Sequence, residues 1–272
     1  MREEQSAPMT RVGFVGAGRM GGPMVRRLVE SGHDVQALGR SDQACRSIRE
    51  LGARPVTTLA DVSDGAEVVI VCVFTDDQVQ QVCLQGELVS AMPPGSVLVI
   101  HTTGSPSTAE AIAAQSPGID VIDAPVSGGP HDIAAGHVTL FVGGSDEAVT
   151  RAQPVIASYG DPILHVGPIG AGQRVKLINN TLFAAQIGLL RAAVELGGRL
   201  GVEESKLLAS VPHGSGASRV GEFIAPRGSV QAFVDGVGEF IGKDVAVARK
   251  IAAELGSDLG LLDDVINAGL EA

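Results

Sequence analysis

Apolar and polar positions change rhythm part-way along the chain. Up to about residue 170, short runs rich in β-branched residues recur at 12–15, 35–38, 68–73, 97–100, 121–122 and 138–142, with amphipathic stretches between them. Strand-like and helical segments in alternation predict βαβ units, hence a parallel sheet with right-handed crossovers and helices on both faces: an α/β, doubly wound domain. From about residue 171, "GQRVKLINNTLFAAQIGLLRAAVELGGRLG" keeps a helical period and no strand-like run follows, so the second domain is expected to be all-α. The Gly- and Pro-containing "VGPIGAG" marks the boundary, dividing the chain into domains 1–167 and 168–272 bridged by the long helix.

Composition narrows the range of functions. A length of 272 residues suits two modest domains, and a net charge of -11 without long like-charge runs argues against a nucleic-acid surface or an anionic membrane as partner. The opening "MREEQSAPMT" is polar and acidic, unlike a signal or transit peptide, and the apolar run at 68–74 is too short to span a bilayer, so no membrane span is expected. Cys45, Cys72 and Cys83 are odd in number and lack Cys-x-x-Cys spacing. Reduced thiols in a cytoplasmic protein without a metal centre are expected.

The first strand-like run leads directly into Gly16-x-Gly18-x-x-Gly21 and then a helix. In that context Gly16 permits a tight turn, Gly18 lets backbone approach a pyrophosphate, and Gly21 allows close packing of helix on strand. This is the Rossmann dinucleotide fingerprint, with Gly16, Ala17, Gly18, Arg19, Met20 and Gly21 as expected cofactor contacts. The second run ends in "ALGRS": Gly39 stands where an acid would accept from the 2′-hydroxyl of NAD, while Arg40 and Ser41 can hold a 2′-phosphate. NADP is the expected cofactor, with NAD as the alternative. Further along, Lys176 and Asn180 are four apart on one predicted helix face and can act on one ligand, although such a pair also suits an ordinary solvated face. A desolvated lysine beside a cofactor can exchange a proton with a hydroxyl or carbonyl. Among the histidines, His101 and His131 stay as candidate substrate contacts, whereas His33, His165 and His213 suit structural or solvated positions. "GEFIGKD" lacks the spacing and strand of a phosphate loop.

Four segments, "GFVGAGRMG", "DAPVSGG", "GAGQRVKLINN" and "GKDVAVA", occur in the order and spacing of the β-hydroxyacid dehydrogenase family, and the chain resembles that family over nearly its whole length. The family includes 3-hydroxyisobutyrate dehydrogenases, tartronate semialdehyde and glyoxylate or succinic semialdehyde reductases and, more distantly, 6-phosphogluconate dehydrogenase. The resemblance implies hydride transfer between a nicotinamide and a small 3-hydroxyacid, semialdehyde or 2-oxoacid. It implies that Lys176 is the general acid or base and that Asn180 orients the reacting oxygen. Ser127, Gly128 and Gly129 become the loop that binds a substrate carboxylate. Val73 and Thr103 become cofactor contacts, Thr103 beside the nicotinamide, and Lys243 reaches cofactor or substrate with Asp244 steadying it.

Three departures from the family pattern bear on substrate and assembly. Ile100 replaces a common aspartate, Asp132-Ile133 replaces a Gly-Ala pair after the carboxylate loop, and the chain stops at Ala272 without the longer relatives' last helix. The helical domain is accordingly expected to bind a small carboxylated substrate and to form a homodimer or higher oligomer. Two rival readings are imine-reductase-like C=N reduction and a catalytically silent dinucleotide sensor. The lysine at 176 argues against the first, and the intact phosphate site together with the acid–base pair argues against the second.

Overall fold

The computed structural model describes residues 9–270, with the side chains of 238–240 and 270 outside the description. The described residues form two compact units that divide between Lys176 and Leu177.

In the first unit, elements follow in the order β1 (Arg11–Val15), α1 (Gly21–Glu30), β2 (Asp34–Leu38), α2 (Asp42–Glu50), β3 (Arg54–Val56), α3 (Leu59–Ser63), β4 (Val68–Val71), α4 (Asp76–Cys83), β5 (Val97–Ile100), α5 (Pro106–Gln115), β6 (Asp120–Asp123), β7 (Val126–Ser127), α6 (Pro130–Ala135), β8 (Val138–Gly143), α7 (Asp146–Ile156) and β9 (Gly160–Gly167). The sheet order is β3-β2-β1-β4-β5-β6-β8-β7, with β9 also paired to β8. Pairing is parallel from β3 through β6.

Period-two side chains explain the layering. Val68 and Ile70 of β4, with Val97 and Val99 of β5, pack into a core on one face that includes Met24 and Leu28 of α1. Val69 and Val71, with Leu98 and Ile100, enter a second core with Val79 of α4 and Ile112 of α5. Strands buried on both faces read as unbroken apolar runs, which is why 68–71 and 97–100 stood out in the sequence. Each fully buried Val, Leu or Ile in these layers contributes roughly 1.5–3 kcal/mol relative to exposure.

The parallel sheet carries an antiparallel addition at one end that the sequence pattern does not predict: β8 runs antiparallel to β6 and β7. The link between β6 and β7 is only residues 124–125, and α6 between β7 and β8 is six residues long. β7 continues in the direction of β6, whereas the connection through α6, residues 128–137, is shorter than the dozen or more residues of a parallel crossover and returns the chain antiparallel on β8.

The second unit is helical throughout its described residues. Helix α8 (Ala171–Arg199) begins within the first unit and continues into the second, followed by α9 (Glu204–Ser210), α10 (Arg219–Ile224), α11 (Val230–Glu254) and α12 (Leu261–Leu270). Its own core joins Ala184, Ile187 and Leu190 of α8 to Leu208, Ile224, Phe233, Val245 and Ile266. By length and composition α8 is apolar enough to cross a bilayer, which a search for unbroken apolar runs does not detect. Polar residues interrupt it at Gln173, Arg174, Lys176, Asn179, Asn180, Gln186, Arg191 and Glu195.

Candidate active site

A groove of about 510 Å³ opens in the first unit where β1 and β4 end, lined by Gly16, Ala17, Gly18, Arg40, Ser41, Val73 and Gln78 among others. This is the switch point of the strand order, with β2 on one side of β1 and β4 on the other, where a doubly wound sheet leaves a crevice. The three fingerprint glycines have separate physical reasons. Gly16 sits at φ 100°, and a Cβ there would overlap the carbonyl oxygen of Cys72. A Cβ on Gly21 would overlap the carbonyl oxygen of Gly16 and come within 2.7 Å of the Phe14 ring, so only glycine lets α1 close on β1. At Gly18 a Cβ would meet nothing within 4 Å of protein, which is the space a pyrophosphate needs beside the turn. Arg19 is exposed at the turn and Met20 immediately precedes α1; neither lines the groove.

The far end of the groove is cationic and rich in donors. Arg40 is exposed on its wall, and Ser41 caps α2 by accepting from the backbone N–H of Ala44 at 3.2 Å. Gly39 is buried against α2: a Cβ there would lie 2.6 Å from Sγ and 3.1 Å from the backbone nitrogen of Cys45. The Cys45 sulfur therefore crowds any side chain at 39 as the fold stands. Gln43, Ser47 and Gln81 also line this groove and were missed in the sequence. Their signal is position alone, in the first two turns of the helices that follow β2 and β4.

At the ends of β4 and β5, the Thr102 hydroxyl accepts from Val73 N–H at 2.9 Å and donates to its carbonyl at 3.0 Å. Thr103 is next along, half-buried. His101, a candidate substrate contact from sequence, is fully enclosed. Its Nδ1–H donates to the Ala124 carbonyl at 2.6 Å, and its Nε2 accepts from the Tyr159 hydroxyl at 2.7 Å. Burial pushes its pKa down to about 4, so it is a neutral strut with both nitrogens engaged. His131 is exposed at the start of α6.

The expected carboxylate loop follows β7. Gly128 has φ 138°, and Gly129 donates its N–H to Asp132 at 2.7 Å, so the Asp132 departure engages one of the loop's backbone donors. Ser127 closes β7. Lys176, 8% exposed, lies in the second turn of α8. In the second unit, Asn180 donates through Nδ2 to the buried Asp244, whose other oxygen lies 3.4 Å from Lys243 Nζ. Asn180, Lys243 and Asp244 thus form one polar group of the helical unit. Two residues the sequence did not single out tie the start of α8 to the sheet of the first unit: Asp123 at the end of β6 and Gln173 in the first turn of α8. An acid closing an apolar run in "DAPVSGG" was the available signal.

Comparison with known proteins follows this geometry. Residues 11–167 match the family described as NAD binding domain of 6-phosphogluconate dehydrogenase, and residues 170–268 match NAD-binding of NADP-dependent 3-hydroxyisobutyrate dehydrogenase. The chain belongs to the β-hydroxyacid dehydrogenase family. As a family member it is 34% identical to a 3-hydroxyisobutyrate dehydrogenase of Pseudomonas aeruginosa over 213 residues, covering 77% of this chain and 72% of that protein. It is 31% identical to an NAD-dependent L-serine dehydrogenase of the same organism over 263 residues, covering 96% and 86%. The structure of Mycobacterium tuberculosis 3-hydroxyisobutyrate dehydrogenase with L-serine superimposes with a TM-score of 0.84 at 26% identity, over 95% of this chain and 92% of that one. This β-hydroxyacid dehydrogenase is thus an oxidoreductase with a Rossmann-like domain for a nicotinamide dinucleotide and a helical C-terminal domain.

Proposed function

We propose that the enzyme interconverts a small 3-hydroxyacid and the corresponding semialdehyde or oxoacid, with NADP(H) preferred and Lys176 as general acid or base. The observation that carries this reading is the placement of Lys176, buried on α8 three residues after Gln173, whose amide grips the loop of Thr103 beside the groove. Gly16, Gly18 and the start of α1 hold the pyrophosphate, and Arg40 with the α2 N-terminus receives a 2′-phosphate. A nicotinamide bound there would supply hydride transfer to the carbonyl carbon in reduction and from the carbinol carbon in oxidation. Lys176 takes the hydroxyl proton in oxidation and returns it in reduction, and the Asn180 amide, held by Asp244, orients the same oxygen. Ser127 and Gly128 receive the substrate carboxylate. Asp132, engaged with Gly129, narrows what that loop accepts.

A second copy of the chain is part of the reading, with α8 as contact surface, in a cytoplasmic setting. A panel of 3-hydroxyisobutyrate, L-serine, other 3-hydroxyacids, short semialdehydes and cyclic imines, each with both cofactors, tests the reaction class. Turnover of imines alone, or none at all, would overturn it. Lys176→Ala should lower turnover by about a hundredfold or more while fluorescence titration finds NADPH affinity nearly unchanged, because the phosphates are held elsewhere.

A further inference from the structure

Asp123 closes β6 with its side chain fully buried, and both carboxylate oxygens accept backbone N–H groups from the start of α8: Gly170 on Oδ1 and Gln173 on Oδ2, each at 2.6 Å. The surroundings are backbone, since a Cβ on Gly143 would overlap Oδ1 and one on Gly172 would lie 2.9 Å from Oδ2. Gln173 carries the contact onward. Its Nε2 donates to the Thr102 carbonyl at 2.8 Å and its Oε1 accepts from Gly104 N–H at 3.0 Å, so one amide brackets Thr103. Thr102 in turn grips both backbone groups of Val73, which lines the dinucleotide groove. One continuous set of hydrogen bonds thus runs from the first turn of α8 to the groove wall.

Several other helices take a side-chain cap from the residue just before them. Ser41, Thr58, Thr75 and Ser145 each cap the helix they immediately precede. Helix α8 instead takes its cap from a buried carboxylate 47 positions away. Helix stability alone does not call for a charge taken out of water, because an adjacent serine or threonine supplies about 1 kcal/mol without that cost.

We propose that Asp123 and Gln173 are positioning residues for the reaction, fixing the turn that bears Lys176 against the loop that bears Thr103 and the groove wall at Val73. The inference rests on the reading of Lys176 given above. Proton transfer needs its groups held within about 0.5 Å of the productive geometry. A charge-assisted cap joined to a two-bond amide clamp provides that rigidity.

The carboxylate also gives the network a pH signature. Burial pushes Asp123 up to about 6, against the opposing effects of the Gln173 and Gly170 N–H bonds and the Arg174 charge. Arg174 is paired with Glu110 at 2.5 Å, Lys176 is the next cation on α8, and His101, which binds the Ala124 carbonyl beside Asp123, is neutral. Protonation turns one acceptor oxygen into an O–H, and one N–H bond of the cap is lost.

The test compares Gln173→Leu, Asp123→Asn and Lys176→Ala as full chains on a panel substrate, measuring kcat and KM across pH, NADPH affinity by fluorescence, and thermal stability. Gln173→Leu keeps the Asp123 cap and should lower kcat about tenfold, with KM and NADPH affinity within about twofold. In the parent enzyme kcat should fall below a pH of about 6; Asp123→Asn should lower the plateau and abolish that step. A cap of purely structural role predicts changed melting temperatures with kcat and its pH profile intact. That result, or a parental kcat in Gln173→Leu while Lys176→Ala is inactive, would overturn the positioning role and leave the lysine standing. Normal turnover in Lys176→Ala would instead overturn the lysine reading, and the positioning inference with it. Should Asp123→Asn not fold, Gln173→Leu decides alone.

Discussion

Gly39 lacks a side chain because Cys45 leaves no room for one. Restoring an acid there to favour NADH should therefore not behave as a simple exchange. Gly39→Asp puts Cβ 2.6 Å from the Cys45 sulfur, an overpacking that costs about 1–3 kcal/mol. The single variant is expected to lose NADPH affinity and thermal stability together, with NADH binding little improved. Adding Cys45→Ala should recover part of the stability and shift preference toward NADH. Fluorescence titration with both cofactors checks this, and a clean switch in Gly39→Asp alone would show that Cys45 imposes no constraint. His101 supports a second expectation. Its folded pKa of about 4 lies below the ordinary 6.5, so its contribution is complete above pH 6.5 and is lost as pH falls through 4, on the order of 3 kcal/mol. Asp123 has the opposite sign: raised from 3.8 to about 6, it favours the fold below 3.8 and loses that contribution as pH rises through 6. His101→Gln should be less stable than the parent at neutral pH, with a gap that narrows by pH 4.5 in urea unfolding. A gap independent of pH would contradict the assignment. The placement of Gly16, Gly18 and Arg40 along the groove was legible because the glycine turn and the end of β2 are marked by local spacing. Asp123 and Gln173 were not, since their partners stand 47, 69 and 71 positions away and a one-dimensional pattern does not carry such pairings.

Among elements, legibility followed burial. Strands enclosed on both faces, β4 and β5, announce themselves as apolar runs, whereas β3 contains Pro55, β7 has two residues, and β9 is mostly exposed or half-buried with no alternation to detect. The antiparallel end of the sheet escaped for a related reason: link length, not strand composition, sets direction there. The β1–α1 junction is the element on which cofactor binding depends most directly. Gly21→Ala should push α1 away from Phe14 and the Gly16 carbonyl, destabilising the fold by about 1–3 kcal/mol and weakening NADPH binding roughly tenfold. Calorimetry and titration on one preparation check both effects, and unchanged cofactor affinity would mean that the turn tolerates a displaced helix.

For the molecule as a whole, α8 presents Leu182, Leu189 and Leu196 at seven-residue intervals, 46%, 57% and 51% exposed, with Ile178 one turn before. An apolar seam of that period suits a second helix of the same kind. The dimer proposed above should therefore fall apart when Leu189→Glu and Leu196→Glu are combined, read by sedimentation at micromolar concentration. A parent protein that sediments as a monomer would dispose of the seam as an assembly surface.

The pairing of His101 with Tyr159 has an optical consequence. The chain has one tyrosine and no tryptophan, and that tyrosine is buried with its hydroxyl directed at the imidazole. Excited at wavelengths that phenylalanine does not absorb, intrinsic ultraviolet emission consequently originates from a single point in the first unit. Bound reduced cofactor can be followed by its own emission without indole background, while the phenol reports separately on the core behind β5. Ligand occupancy and the integrity of one named hydrogen bond can thus be watched in the same cuvette, with no label introduced.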